Sequence, residues 1–464
     1  MKLSNSKELF SNTLSLTYVY IVKLANLRGI YVFLLLPFLL HTPTVTFGRN
    51  AVINLFEKKT EDPFEPYLTG KAPTILQDLG EEIKGTIKVR KILFLSRNVQ
   101  THEGIQENRI FAVITRPSKP GNYPGLLVLH GGGGSAEIEK AEKWAALGYV
   151  VVTLDIPGVA NPEKVPLSEG HWKTFTYGTK RFTAHPHITS STIFDGALAA
   201  LQGFYLLQSQ ADVIKTKIGI AGISWGGYLT TMVTGLVHSQ VAASFSVFGS
   251  GNFDAGSVFL KELDKMPSSE RGQWLQYLDA GRRIKDHHAP FFIAAAANDN
   301  WFYPPAVTAT LLSMKGPVNH LFAANANHKI PDPGGSEADK TAKPGWLEME
   351  QIYFDYYLKD SGLPFPMISS VTQKMLKKSD SKKYVVRFKV KSKTKLELAR
   401  VYFSTFNKEW SKREWKEIPA ERIGKNKYQA TLPDSISEQQ ISWYPSISDS
   451  RPVSVSGYIK ILNH

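Results

Sequence analysis

The sequence of 464 residues contains no cysteine. This absence excludes disulfide bonds, a thiolate nucleophile, cysteine-ligated zinc and N-terminal lipidation on cysteine. The chain also lacks repeats, low-complexity tracts and any zinc-finger, basic-zipper or RNA-binding signature, so we expect no nucleic-acid partner. The two histidines of His185-Pro-His187 could serve as metal ligands, but no acidic residue lies near them in the sequence. We therefore predict that the protein binds no metal ion. We also expect no cofactor.

Acidic residues are fewer than basic residues. The chain has 55 Lys and Arg against 41 Asp and Glu, a net charge of +14 and a pI of about 9.4. Such an excess favours anionic surroundings or substrates, such as an acidic polysaccharide. A solvated, lysine-rich surface is the alternative. The apolar content of 42% and the charged content of 21% are typical of a globular protein.

No apolar run is long enough to cross a bilayer. The longest candidate, Ile30–Leu40, follows Lys23 and Arg28. A basic segment before a short apolar segment is typical of a signal peptide, and the run is too short for a membrane span. We predict that residues 1–48 are a signal peptide cleaved near Gly48 and that the protein is periplasmic or secreted. An uncleaved N-terminal anchor is the alternative.

The pattern of the chain divides it into regions. Residues 49–82 form a polar segment that leads into the fold. Residues 83–367 alternate strand and helix patterns, which predicts an α/β domain with a doubly wound, mostly parallel sheet covered on both faces. Residues 368–373 resemble a linker. Residues 374–464 contain short alternating strands, as at residues 386–391, which predict a small β-sandwich of immunoglobulin or fibronectin type. This tail has no candidate catalytic group, so we expect an accessory domain.

The most informative stretch is Gly222-Ile-Ser-Trp-Gly226, which matches the nucleophile elbow G-x-S-x-G. An apolar run before it predicts a buried strand, and the spacing of apolar residues after it predicts a helix. In such an elbow Ser224 lies on a strained turn, and small residues flank it because strand and helix pass closely. A glycine turn with an incidental serine is the alternative.

A serine nucleophile needs a base, and the base needs a group that orients it. Asp299 ends one apolar run, and His328 ends the next. The carboxyl ends of parallel strands meet at one edge of a sheet, and the order Ser, acid, His is that of α/β-hydrolases. We predict Ser224 as nucleophile, His328 as base and Asp299 as acid, with Asp332 as a rival acid. A turn residue and a surface histidine are the non-catalytic alternatives.

The glycine tetrad after His130 predicts an oxyanion hole. Glycines leave backbone N–H groups free to face a developing oxyanion. We expect one donor from the N–H of Trp225 and another from that of Gly131 or Gly132. A glycine-rich turn that leads into a helix is the alternative.

The segment Ile156–Ser190 is too long for an ordinary connection, so we predict a lid or a pocket wall and refer to it as the lid. Aromatic and basic side chains there suit a sugar that carries carboxylate or sulfate, although a solvated loop has the same composition. The candidate substrate-binding residues are His171, Tyr177, Arg181, His185 and His187 in the lid, and Trp301 after the predicted acid.

Together these motifs resemble secreted α/β-hydrolases near the acetyl xylan esterases, dienelactone hydrolases and prolyl oligopeptidases. The resemblance covers about Ile87 to Pro364, and the tail is similar to the small β domain of some of these esterases. Dienelactone hydrolases use a cysteine, which this chain lacks. Trp225 stands where cephalosporin-deacetylase-type esterases usually have Gln, and Lys329 stands where they often have Glu.

These observations predict a serine carboxylic-ester hydrolase that acts on acylated or uronate-bearing carbohydrate through an acyl-enzyme. Three alternatives remain open. The first is a carbohydrate lyase or dehydratase that uses the lid residues on a uronate. The second is an exopeptidase of the prolyl oligopeptidase type, and the third is a binding module without catalysis.

Overall fold

The computed structural model describes residues 61–330, 345–378, 381–433 and 440–462. The chain separates into two units, Met1–Glu61 and Asp62–His464, and the described helices and strands belong to the second. The predicted signal peptide and the rival acid Asp332 lie outside the described residues. Among the described helices, none has the length and apolar character that a membrane crossing requires.

A nine-stranded sheet forms the centre of the first part of the fold, with the order β1-β2-β3-β5-β4-β6-β7-β8-β9. Its strands are β1 (Ile75–Lys84), β2 (Ile87–Thr101), β3 (Gly104–Pro117), β4 (Tyr123–Leu129), β5 (Val150–Leu154), β6 (Val213–Ile223), β7 (Ala243–Val247), β8 (Phe291–Ala296) and β9 (Val318–Ala323). Strands β1, β2, β3 and β5 pair antiparallel in succession, and every pairing from β5 to β9 is parallel. The predicted mostly parallel sheet is thereby confirmed.

Helices cover both faces of this sheet, as the alternating pattern predicts. The helices are α1 (Ile138–Ala146), α2 (Thr192–Gln208), α3 (Trp225–Val237), α4 (Leu260–Leu263), α5 (Ser268–Tyr277), α6 (Ala280–Arg283), α7 (Pro304–Ser313) and α8 (Leu347–Lys359). Helices α2 and α3 pack against each other over β4–β7, and every residue of α3 is buried. On the other face α1 meets α8, where the rings of Trp144 and Phe354 lie 5.9 Å apart. The fold is that of α/β-hydrolases.

The C-terminal part consists of two antiparallel sheets. Its strands are β10 (Met367–Lys378), β11 (Ser381–Lys391), β12 (Leu396–Thr405), β13 (Lys416–Pro419), β14 (Glu421–Gly424), β15 (Lys427–Thr431), β16 (Ile441–Asp449), β17 (Ser454–Ser456) and β18 (Lys460–Leu462). One sheet has the order β10-β11-β15-β14, the other has β13-β12-β16-β17, and β18 also pairs with β16. This division of strands between two sheets is typical of immunoglobulin-type sandwiches. The buried Trp443 of β16 spans the layers, since its indole N–H donates to Gln373 of β10 at 2.9 Å.

Two expectations about connecting segments are wrong. Residues 368–373, predicted as a linker, lie within β10 and pair with β11. The polar segment over residues 49–82 contains most of β1, an edge strand whose residues are all exposed. An edge strand with no buried face lacks the alternation of apolar and polar residues by which a strand is recognised.

Candidate active site

Ser224 lies in the turn between β6 and α3 with φ 57° and ψ −118°. A non-glycine residue rarely adopts a positive φ, so the surrounding structure must hold this turn. The Ser224 N–H donates to the Val247 carbonyl oxygen at 2.8 Å. A Cβ at Gly222 would lie 2.4 Å from the Gly226 oxygen, and one at Gly226 would lie 2.2 Å from the Leu129 oxygen. Both flanking positions therefore require glycine.

The side chains of Ser224, His328 and Asp299 form a hydrogen-bonded series. His328 Nε2 lies 2.9 Å from Ser224 Oγ, and His328 Nδ1 lies 2.9 Å from Asp299 Oδ2. An ionised carboxylate only accepts hydrogen bonds, so Nδ1 carries the imidazole proton. Nε2 is then the acceptor for the serine hydroxyl. The structure thus brings together three residues that follow three different strands.

Neighbouring groups fix the carboxylate and the imidazole. Asp299 is fully buried, and its Oδ1 accepts from the N–H of Trp301 at 2.7 Å and of Phe302 at 2.9 Å. The His328 ring lies against Phe248 at a centroid distance of 4.4 Å and is nearly parallel to Phe302 at 6.0 Å. These contacts limit rotation of both side chains.

Backbone N–H groups next to Ser224 suit an oxyanion. Trp225 is the first residue of α3, where an N–H has no partner within the helix. In the part of the chain that the structure describes, the N–H groups of Gly131 and Gly132 have no protein acceptor. A Cβ at Gly131 would lie 3.5 Å from the Ser224 Cβ, so this backbone closely approaches the serine.

His130 orients the glycine tetrad. It is fully buried, and burial lowers its pKa from 6.5 to about 4, so the ring is neutral. The Ile156 N–H donates to Nε2 at 3.0 Å, which leaves the proton on Nδ1. Nδ1 then donates to the Gly131 carbonyl oxygen at 2.7 Å. Because C=O and N–H point in opposite directions across a trans peptide, the Gly132 N–H points away from His130.

A cleft of about 550 Å³ lies beside Trp225, and Ser224, Gly131 and Gly132 are not among its wall residues. Its walls include three of the predicted binding residues, Tyr177, Arg181 and Trp301, together with Trp225. The Trp301 side chain is about half exposed, and the cleft is therefore partly aromatic. The Tyr177 hydroxyl reaches the glycine tetrad, because a Cβ at Gly132 would lie 2.8 Å from it.

The three lid histidines are not among the walls of this cleft. The His171 N–H donates to Asn108 at 3.2 Å, and its ring meets Phe175 at 5.0 Å. His185 and His187 are both exposed, and His187 Nδ1 lies 3.1 Å from Thr189 Oγ1. Their predicted role in substrate binding stays a prediction.

The structure adds aromatic residues that sequence reasoning missed. Phe248, directly after β7, adopts a positive φ of 64° and contacts the imidazole of His328. Phe182 and Phe259 form part of an aromatic cluster behind Trp225. The position of Phe248 at the carboxyl end of a parallel strand is the only sequence signal that could have indicated it. Over the described residues, no group of three or more His, Asp or Glu side chains is placed to hold a metal ion.

Comparison with known proteins identifies one family and several solved structures that this chain resembles. Residues 95–253 match the model of the acetyl xylan esterase (AXE1) family. Among solved structures, acetyl xylan esterase 1 from Thermoanaerobacterium sp. JW/SL YS485 is 16% identical, with a TM-score of 0.48 over 63% of this chain and 92% of that one. Acetyl xylan esterase from Paenibacillus sp. R4 is also 16% identical, with a TM-score of 0.46 over the same shares. Dipeptidyl peptidase 4 from Porphyromonas gingivalis is 14% identical, with a TM-score of 0.38 over 54% of this chain and 40% of that one.

The family match, which includes the glycine tetrad and the elbow, defines the class: the protein is a serine hydrolase of carboxylic esters. Within that class it is similar to the acetyl xylan esterases and related α/β-hydrolases.

Proposed function

We propose that the protein hydrolyses esters of acylated or uronate-bearing carbohydrate through Ser224, His328 and Asp299. The observation that carries the proposal is the hydrogen-bonded series of these side chains, with 2.9 Å on each side of the imidazole. The match to a family of carbohydrate esterases and the partly aromatic cleft support a sugar substrate.

In this mechanism His328 Nε2 takes the hydroxyl proton as Ser224 Oγ attacks the ester carbonyl carbon. The N–H groups of Trp225 and of Gly131 or Gly132 stabilise the oxyanion. His328 then returns the proton to the departing sugar oxygen, which leaves an acyl-enzyme. Water, activated by the same imidazole, releases the acid and restores the serine. Asp299 keeps the Nδ1 proton in place and stabilises the imidazolium.

Replacing the nucleophile tests the proposal. Ser224→Ala should lower kcat for p-nitrophenyl acetate by at least about 10³-fold, because only binding and the oxyanion hole would remain. A serine-directed phosphonate should label Ser224 in the wild type, and Ser268→Ala, a change at the start of helix α5, serves as the matched control. Turnover that survives in Ser224→Ala would refute the triad.

The same proteins separate ester hydrolysis from elimination on a uronate. An acylated uronate oligosaccharide should release acid without gaining the ultraviolet absorbance of a new conjugated double bond. Absorbance that grows in both wild type and Ser224→Ala, and disappears in His185→Ala, would favour a lyase instead.

We also propose that the protein is exported, on the basis of the basic and apolar pattern before Gly48.

A further inference from the structure

Arg181 is a buried cation without a carboxylate partner. Its side chain is more than nine-tenths buried, and its Nε donates to the Gly158 carbonyl oxygen at 2.7 Å. The Nη2 atom has no hydrogen-bond partner, and no carboxylate of the described residues lies within ion-pair distance of the guanidinium. Burial lowers the pKa of Arg181, although the group remains cationic. A buried charge of this kind is costly unless it is paired.

Aromatic rings hold the guanidinium in place. Its carbon lies 4.9 Å from the Tyr177 ring centroid and 4.7 Å from that of Trp225. Cation–π contacts of this type compensate only part of the lost hydration. The Tyr177 hydroxyl also favours the charged form of Arg181, and Nη2 remains the donor without a partner.

The surroundings of Arg181 in the cleft are also basic. Lys180 and Lys261 line the same walls. The cleft has one acidic wall residue among those described, Glu262, and Lys265 pairs with it at 3.0 Å. The cleft thus has a positive excess next to an unpaired guanidinium.

Two wall residues of the cleft, Trp225 and Tyr177, lie next to the proposed reacting centre. Trp225, which contacts Arg181, directly follows the nucleophile and supplies an oxyanion donor. The Tyr177 hydroxyl lies beside Gly132 of the glycine tetrad. Arg181 therefore lies one side chain away from the backbone next to Ser224, near enough for one substrate to reach both residues.

We propose that Arg181 binds an anionic oxygen group of the substrate, either a uronate carboxylate or a sulfate. The guanidinium suits both, because its fork of N–H donors matches their oxygens. This inference rests on the proposed function, since it places the anion on a sugar ester held at Ser224. It specifies a carbohydrate that is charged close to the scissile ester.

Binding to the full-length Ser224→Ala protein tests the inference without any turnover. The ligands are methyl glucuronoside, methyl glucoside 6-sulfate and methyl glucoside, measured by isothermal titration. We expect at least one anionic sugar to bind ten-fold or more tightly than the neutral one. The anionic sugar that binds more tightly shows whether Arg181 prefers a carboxylate or a sulfate. Equal binding of all three sugars overturns the proposal.

Variants then assign the effect to Arg181. Adding Arg181→Gln to Ser224→Ala should abolish the preference for the anionic sugar, and Arg181→Lys should retain part of it. Lys164→Gln removes the same charge from an exposed position outside the cleft and should keep the preference. A preference that survives Arg181→Gln, or that falls equally in Lys164→Gln, contradicts the assignment. Failure of the proposed function would instead show as ester turnover that persists in Ser224→Ala.

A separate set of contacts joins the β-sandwich to the loops that carry the acid and the base. Asn298, next to the acid, donates from Nδ2 to the carbonyl oxygens of Arg413 and Trp410. Asn325, three residues before the base, donates to the Trp415 oxygen and accepts from the Trp415 N–H, both at 2.8 Å. One segment of the sandwich, residues 410–415, therefore holds both loops.

We infer that residues 410–415 position Asp299 and His328 for catalysis, so that the sandwich supports the reaction directly. The left-handed φ of 53° at Asn325 makes a clean variant possible, because glycine accepts this conformation. Asn325→Gly removes both hydrogen bonds without straining the backbone. Asn325→Asp keeps the acceptor and loses the donor.

Asn319 provides a matched control. It makes a comparable bond, from Nδ2 to the Pro366 oxygen at 2.8 Å, but at the opposite end of β9 from His328. We expect Asn325→Gly to lower kcat for a small ester about ten-fold with little change in KM. Asn325→Asp should have a kcat between those of Asn325→Gly and the wild type. Asn319→Ala should lower the melting temperature to a similar extent while kcat stays the same. Equal kcat in wild type and Asn325→Gly, or equal losses in Asn325→Gly and Asn319→Ala, overturns the inference and favours a purely accessory sandwich.

Discussion

His287 should make the protein sensitive to acid. It is almost fully buried just before β8, and neither ring nitrogen forms a hydrogen bond of good geometry within the described residues. Burial, and after it the neighbouring His238 and His288, lower its pKa from 6.5 to about 4, while a weak contact with the Ala289 backbone opposes the shift. The folded protein therefore binds the proton less well than the unfolded chain does.

The sign and size of the effect follow from linkage. Between pH 6.5 and 4 the unfolded state binds more protons, so the free energy of unfolding falls as the pH falls through this window. Below about pH 4 both states are protonated and the loss is complete. For a single group with these values, lowering the pH from 7 to 5 costs about 2 kcal/mol. Buried His130 and His320, whose pKa values are also lowered to about 4, add to the same loss.

His287→Leu removes this contribution. Urea unfolding of wild type and variant at pH 7 and pH 5 gives the drop in unfolding free energy for each protein. We expect the drop to be about 2 kcal/mol smaller in the variant. Any effect of the substitution on packing is the same at both pH values, so it cancels from the drop in unfolding free energy. His102→Leu, a change at an exposed histidine that does not influence His287, should behave like wild type. A drop in His287→Leu within about 0.5 kcal/mol of the wild-type drop refutes the argument.

Three further predictions concern other parts of the chain. Gly226→Ala should yield insoluble or unfolded protein, because its Cβ would lie 2.2 Å from a backbone oxygen, whereas Gly272→Ala, which meets nothing within 4 Å, should raise stability by about 0.5–1 kcal/mol. Soluble yield and melting temperature measure both. Trp301→Ala should raise KM several-fold for a saccharide ester and less for p-nitrophenyl acetate, because its half-exposed ring lines the cleft. N-terminal sequencing of the mature protein should begin near Arg49 or Asn50, and an intact Met1 would contradict export.

The central part of the fold could be predicted because its signals are local. A strand buried on both faces reads as a continuous apolar run, and each such run ends where a parallel sheet exposes its carboxyl edge. Placing Ser224, Asp299 and His328 after three such runs therefore predicts their proximity, and the structure brings them within hydrogen-bond distance. Their catalytic role remains a prediction until the variants are measured.

Strands without a buried face could not be predicted from the sequence pattern. The exposed strand β1 has no apolar periodicity, and residues 368–373 are mostly polar although they lie in β10. Both strands lie at the edge of a sheet, where pairing on one side does not require a hydrophobic side chain. The position of such a strand is set by the strand with which it pairs in the sheet, and the local sequence does not specify that pairing.

The contacts that distinguish this protein from a generic hydrolase are long-range. Asn325 meets Trp415 across 90 residues of chain, and Arg181 meets Trp225 across 44. Sequence alone identifies Arg181 as a cation among aromatic residues, a composition that a solvated loop shares. Burial without an acidic partner distinguishes a binding residue from a residue of a solvated loop. A solvated arginine keeps its hydration, whereas a buried one loses it at a cost in free energy. The proposal of an anionic substrate therefore rests on the burial of Arg181, which only the folded chain displays, and the binding experiment is directed at that property.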